Sequence, residues 1–257
     1  MQDKGTSKKL TNVGDEESPH TTRSTQPFVV TDESKGRAKT LRLFAILSWV
    51  VAIAFEIMAI LWLRKVPVNM VMLIVFIVVD LIFAVAGSLL WQKSNRLDPA
   101  SENDKTRFFL QSQLGVIMSV IAFLPLVILI FTNKNMSGKQ KGIVGSIAVV
   151  ALLIAGITGI DFNPPSQEKY AEQTKQVEVL MGGVNNVYWT KFGKSYHLFQ
   201  DCPYINGDKT AEIFQGTVAQ ARELKNITDI CNLCQSRAEK GKTTMEGTPE
   251  APPPVNK

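Results

Sequence analysis

Four runs of apolar residues constrain this chain more than any other feature: residues 41–63, 66–91, 108–131 and 142–160. Each comes close to the ~20 residues a helix needs to cross a ~30 Å hydrocarbon layer. Inside such a layer only a helix satisfies every backbone polar group within its own segment. Of Trp49, Trp62 and Trp91, two stand where interfacial aromatics belong. Four buried helices of a soluble bundle would rarely run this long without a polar face. Composition agrees, because 45% hydrophobic and 20% charged residues are segregated along the chain rather than mixed. The expectation for residues 41–160 is an all-α four-helix transmembrane bundle.

The flanks give an orientation. Lys35, Arg37, Lys39 and Arg42 precede the first run, and Lys93, Arg96, Lys105 and Arg107 separate the second from the third. Arg64, Lys65, Lys134, Lys139 and Lys141 mark the other side. The larger set belongs in the cytoplasm, and four spans return the chain to the side it started from, so both termini are expected there. Residues 1–40 and 239–257 are polar and aperiodic and read as disordered tails. The first apolar run begins only at Leu41 and is too long for a signal-peptide core. A net charge of +5 without a basic stripe excludes nucleic acid as the expected partner.

Glu56 and Asp80 fall within the first and second runs. A charge at that depth costs about 2.5 kcal/mol or more, so both acids should face protein or water. Counted from a tight turn at Arg64 and Lys65, Glu56 lies seven residues before Leu63 and Asp80 fourteen past Val66. That is a depth difference of about 10 Å, which argues against direct pairing. One reading makes them a proton or cation relay helped by Gln111 and Gln113. The favoured reading makes them protonated acids hydrogen-bonded between helices. Ala151, Ala155 and Gly159 form a small-residue face suited to close helix approach, within the bundle or between subunits. Pro125 should kink the third helix or mark where a neighbour satisfies a freed carbonyl.

After Pro164 and Pro165 the character changes. Residues 161–183 read as a linker, its short amphipathic helix (Tyr170, Thr174, Val177, Leu180) ending at Gly182 and Gly183. Residues 184–238 read as a small α+β module. Val187 to Thr190 and Ser195 to Leu198 form two strands around Gly193, and Thr217 with Gln220 forms a capping box. Val187, Tyr188, Trp189, Tyr196, Ile213 and Leu224 supply its core. The module holds every cysteine of the chain. His197 and Cys202 have four residues between them, and Cys231 and Cys234 form a C-x-x-C pair. One imidazole and three thiols are the ligand set of a tetrahedral structural Zn²⁺ ion. About fifty residues bury little core, so a metal is a common stabiliser at this size. A thioredoxin-type C-x-x-C leaves Cys202 and His197 unexplained and lacks its βαβ context.

The run V-Y-W-T-K-F-G-K-S-Y-H-L-F-Q-D-C from Val187 to Cys202, with the later C-N-L-C, resembles the small Ada-type metal-binding modules of bacterial proteins. Four spans followed by I-D-F-N-P-P-S and this module resemble a group of bacterial membrane proteins. The resemblance implies zinc at His197, Cys202, Cys231 and Cys234 and a bacterial cell membrane as the location. Methyl transfer does not carry over, because a histidine stands here in place of one thiolate of the four-cysteine form.

The sequence thus reads as an integral membrane protein and not an enzyme: four protein ligands leave no open metal position, and no Ser-His-Asp set, P-loop or H-E-x-x-H occurs. The expected partners are the bilayer, a protein that meets the module, and a second copy of the chain. The favoured function is interaction or regulation through the module. The alternatives are a small transporter or proton-coupled channel using Glu56 and Asp80, and a thiol redox sensor.

Overall fold

The computed structural model describes residues 8–13, 30, 32–225, 227 and 229–246. They fall into two compact units, one within residues 30–168 and the other combining 8–13 with residues from 169 to 246.

The first unit consists of α1 (Asp32–Leu63), α2 (Met70–Leu97), α3 (Lys105–Thr132) and α4 (Gly138–Gly159). All four are long and apolar enough to cross a membrane. They outrun the apolar segments because their polar ends are locally stabilised. Residues 32–40, expected in a disordered tail, are the first turns of α1. Asp32 and Glu33 there complement the helix dipole and pair with Lys35 and Arg37 at 3.5 and 3.9 Å. α2 begins at Met70 rather than at 66. Pro67 lacks a backbone donor, and Asn69 caps the helix by accepting from the Met72 N–H at 3.2 Å. Ser137 and Gln140 form a capping box on α4, and α3 runs on through Pro125.

Small residues set the packing of this unit. A Cβ added to Gly115 on α3 would lie 2.6 Å from the Gly159 carbonyl oxygen on α4, so the two backbones touch there. One turn on, the Ser119 hydroxyl donates to the Ala155 carbonyl at 2.9 Å. The face of Ala151, Ala155 and Gly159 therefore packs within the bundle, against α3. Gly87 lies under the Trp49 indole in the same manner. At one end of the bundle the Asp98 carboxylate accepts from Arg42 at 2.8 Å and from Arg107 at 3.2 Å, tying three helices together. Gln111, expected beside the acids, instead accepts from the Ala100 N–H at 2.7 Å and pins the α2–α3 connection.

The second unit contains β1 (Lys9–Asn12), most of α5 (Gln167–Leu180), β2 (Val187–Thr190), β3 (Ser195–Tyr196), β4 (Glu212–Gly216), α6 (Val218–Lys225), β5 (Asp229–Ile230) and α7 (Asn232–Glu246). One sheet has the order β1-β4-β2 and the other pairs β3 with β5 in parallel. The hairpin expected between β2 and β3 is reduced to one bridge, Tyr188 opposite His197, while the main ladder of β2 is antiparallel to β4 with Trp189 opposite Phe214. Three further expectations need correcting. Lys9 to Asn12 pair in parallel with β4 instead of lying in a tail. Residues 239–246 continue α7. Apart from Lys8, Val13 and Val30, the remainder of both tails, including Pro252 to Pro254, lies outside the described residues.

The third correction concerns α5, which is part of the module and not a spacer. Val177 is fully buried in the module core with Val187, Trp189, Tyr196, Ile213 and Val218. Arg222 of α6, itself buried, donates to the Tyr170 carbonyl and to Gln173 Oε1, both at 3.1 Å. Its guanidinium lies 4.0 Å from the Tyr170 ring centroid. Gly182 and Gly183 adopt φ of 66° and 96°, and the Gly183 N–H closes a Schellman bond on the Glu178 carbonyl at 2.7 Å. The Thr217–Gln220 box caps α6 in both directions, at 2.7 and 3.2 Å. Of the expected core residues, the Leu224 side chain lies outside the described ones.

Candidate metal centre

Four side chains, in two local pairs separated by twenty-eight residues, meet inside the second unit. His197 follows β3 and exchanges two 2.7 Å backbone hydrogen bonds with Tyr188, so β2 fixes the direction of the imidazole. Cys202 closes a turn in which its N–H donates to the Phe199 carbonyl at 3.2 Å. Cys231 follows β5, and its N–H donates to the Tyr196 carbonyl at 2.9 Å. Its own carbonyl accepts from the Gln235 N–H at 3.0 Å, the first bond of α7. Cys234 sits in the first turn of that helix, so the C-N-L-C run wraps the positive end of the dipole.

The ligand atoms of these four buried residues all lie within 4.8 Å of one another. His197 Nδ1 is 3.2 Å from Cys202 Sγ and 3.8 Å from Cys234 Sγ, and the sulfurs of Cys202 and Cys231 are 4.0 Å apart. A tetrahedral zinc ion with ordinary bond lengths would place two sulfurs ~3.8 Å apart and a sulfur and a nitrogen ~3.6 Å apart. The residues therefore fit such an ion. A disulfide needs ~2.05 Å between sulfurs, and all three cysteines are free.

The surroundings suit metal ligation. The Tyr204 amide hydrogen-bonds Cys202, and the Phe199 and Leu198 amides hydrogen-bond Cys234, orienting and stabilising sulfur that carries negative charge. Burial pushes the Cys202 thiol up to about 12 and raises that of Cys234 as well. Protein groups alone thus keep these thiols neutral, whereas a bound divalent cation deprotonates a coordinating thiol outright. Burial also lowers the His197 pKa below its usual value, leaving a neutral ring ready to ligate. Just outside the cluster, Arg237 donates to both Asp201 oxygens at 2.8 and 2.9 Å and lies 4.4 Å from the Phe199 ring centroid.

The structure brings together all four residues singled out in the sequence. That Nδ1 and not Nε2 turns inward was not legible, because it depends on the bridge to Tyr188. Arg222 was missed; its only sequence signal is a cation beside Val218 and Ala221 on the inner face of α6.

Glu56 and Asp80 are also brought together, against expectation. With α2 starting at Met70, Asp80 lies ten residues into its helix and Glu56 seven residues from the end of α1. The depth difference shrinks to about 4.5 Å. Contacts on either side fix the register: Ser48 donates to the Phe83 carbonyl at 2.7 Å, Trp49 covers Gly87, and Trp62 meets Phe76 with ring centroids 5.8 Å apart. Between these contacts Glu56 faces Asp80, near enough for their charges to interact.

Comparison of the chain with protein-family models, with curated proteins and with solved structures finds no match.

Proposed function

We propose that His197, Cys202, Cys231 and Cys234 hold one structural Zn²⁺ ion in a module of the small Ada-type metal-binding kind. In this reading the protein displays the folded module on the cytoplasmic face of the membrane as an interaction or regulatory unit. The observation that carries it is the convergence of one Nδ1 and three Sγ atoms at tetrahedral spacing. Four protein ligands fill a tetrahedral ion and leave no position for a reacting water, which supports a structural role over a hydrolytic one. The interaction role is supported by Phe192 and Tyr204, which the module leaves 88% and 74% exposed. Exposed aromatic side chains are typical of protein contact surfaces.

A photo-crosslinking amino acid placed at 192 or 204 in the full-length membrane protein tests this reading. A discrete adduct, with a partner protein or a second copy, should form and should be lost with Cys231→Ser/Cys234→Ser. Absence of any adduct from both positions would refute the interaction role. The cytoplasmic placement is checked separately with an impermeant thiol reagent on intact cells. It should label Asn135→Cys and leave Ser7→Cys unlabelled; the reverse pattern would invert the orientation.

A further inference from the structure

The bundle contains a second set of buried ionisable groups that the metal reading does not use. Asp80 has no exposed surface, and neither of its carboxyl oxygens has a hydrogen-bond partner among the described residues. Glu56 faces it from α1, with Oε1 equally unpartnered. No cation stands at this depth on any of the four helices. Glu56 is the only titratable residue between Arg42 and Arg64 on α1, and Asp80 the only one between Lys65 and Lys93 on α2. α3 has none between Arg107 and Lys134, and α4 has none between Lys141 and Asp161. Two carboxylates in hydrocarbon surroundings with neither counter-ion nor donor are not sustainable.

A second feature leads away from the pair. Asp80, Ala84, Ser88, Trp91 and Asn95 follow one another at intervals of four or three residues and so share a face of α2. Among the described residues, Ser88 Oγ and Asn95 Oδ1 on this face are buried and without a hydrogen-bond partner, as is Trp49 Nε1 on the adjoining face of α1. The row ends at Asp98, held by Arg42 and Arg107. Orphaned polar groups in a line are the kind of lining that ordered water bridges.

We propose that Glu56 and Asp80 form a proton-binding carboxyl pair that exchanges with water at the Arg42–Asp98 end of the bundle along the Ser88–Asn95 row. One carboxylate takes a proton from hydronium, which leaves as water, and the resulting carboxylic acid donates its O–H to the remaining carboxylate. A proton is the occupant because a hard cation such as Ca²⁺ or Mg²⁺ takes about six oxygen ligands, and two carboxyl groups among apolar side chains cannot supply them. The inference rests on the membrane-spanning arrangement and is independent of the metal centre.

Infrared spectroscopy of the full-length protein in lipid nanodiscs tests it. At neutral pH the spectrum should contain a buried carboxylic-acid C=O band that is lost in Glu56→Gln/Asp80→Asn. In each single variant the acid band should shift or vanish, since its hydrogen-bond partner is gone. Ser88→Ala/Asn95→Leu should keep the band yet slow its hydrogen–deuterium exchange several-fold. A band the double variant leaves unchanged, or one that appears only after cations are removed, would overturn the proton pair. Unaltered exchange in Ser88→Ala/Asn95→Leu would overturn the route. Should the carboxyl variants fail to fold, a hydrophobic carbodiimide, which reacts with protonated carboxyls, should modify unaltered protein at Glu56 or Asp80. No adduct at either residue would refute the proposal.

Discussion

The two units bury ionisable side chains under opposite terms. In the module, two short pairs, His197 with Cys202 and Cys231 with Cys234, bring three thiols and an imidazole to one point, with backbone amides aimed at the sulfurs of Cys202 and Cys234. In the bundle, two buried carboxyls lie near enough for their charges to interact, and among the described residues no donor is aimed at either Asp80 oxygen or at Glu56 Oε1. On the proposed reading, the first arrangement is built for a charge that arrives from outside, and folding there would be linked to the ion. The second is built on helices whose own backbone and small-residue contacts already hold them, so its carboxyls are tolerated rather than required. The lesson is that a buried polar set stabilises a fold only when its geometry supplies the compensating partner.

Removing the metal should separate the units most sharply. Structural zinc binds small domains with roughly 10–16 kcal/mol, as much as a domain's whole stability. Chelator, or Cys202→Ser, Cys231→Ser or Cys234→Ser, should therefore unfold the module and spare the bundle. Circular dichroism would show a partial loss of signal, and the tryptophan environment of Trp189 would change. Acid should do the same. The folded-state pKa of His197 lies below its ordinary value, so the ring is neutral at pH 7. Metal should stay bound as pH falls to about 6.5 and be released below it as protons compete for the ligands. Release already at neutral pH would break the comparison from the module's side.

The bundle's carboxyls set the next test. Asp80→Asn should assemble like the unaltered protein, because it keeps the shape and removes the charge question. Asp80→Lys should lose folded protein, at a cost of about 2.5 kcal/mol or more. Monodisperse yield from size-exclusion chromatography measures both, and an accepted lysine would show that the site opens to bulk water. A smaller effect should come from Gly115→Ala, whose Cβ would meet the Gly159 carbonyl oxygen at 2.6 Å. Forcing α3 from α4 should cost about 1–3 kcal/mol and lower the bundle's thermal midpoint without changing metal content. The smallest effect should be that of Thr217→Ala, which removes one half of the α6 capping box for about 1 kcal/mol. It should lower the denaturant midpoint of the module alone.

What the sequence made legible follows the reach of each signal. The four long helices were readable because a run of ~20 apolar residues has few other uses. Their ends were not, because a cap such as Asn69 is worth only about 1 kcal/mol and a first-turn pair such as Asp32–Lys35 a few tenths, and neither leaves much trace in composition. That small error had a large consequence: moving the start of α2 by four residues changed Glu56 and Asp80 from separated to facing. In the module the candidate metal ligands were legible because histidine and cysteine at such spacings are chemically specific. Strand pairing was not. β1 joins β4 across about two hundred residues of sequence, and β5 is only two residues long. Register between such distant short strands is decided by the assembled core, not by local pattern.

The claim that holds this account together is that four named side chains make one metal site. X-ray absorption spectroscopy of the full-length protein, purified without added metal, tests it most directly. The account predicts a zinc edge and a first coordination shell of three sulfurs at ~2.3 Å and one nitrogen at ~2.0–2.1 Å, with the nitrogen contribution lost in His197→Ala. A protein that is free of metal yet keeps the module folded, or that carries Cys231 and Cys234 as a disulfide, would contradict it.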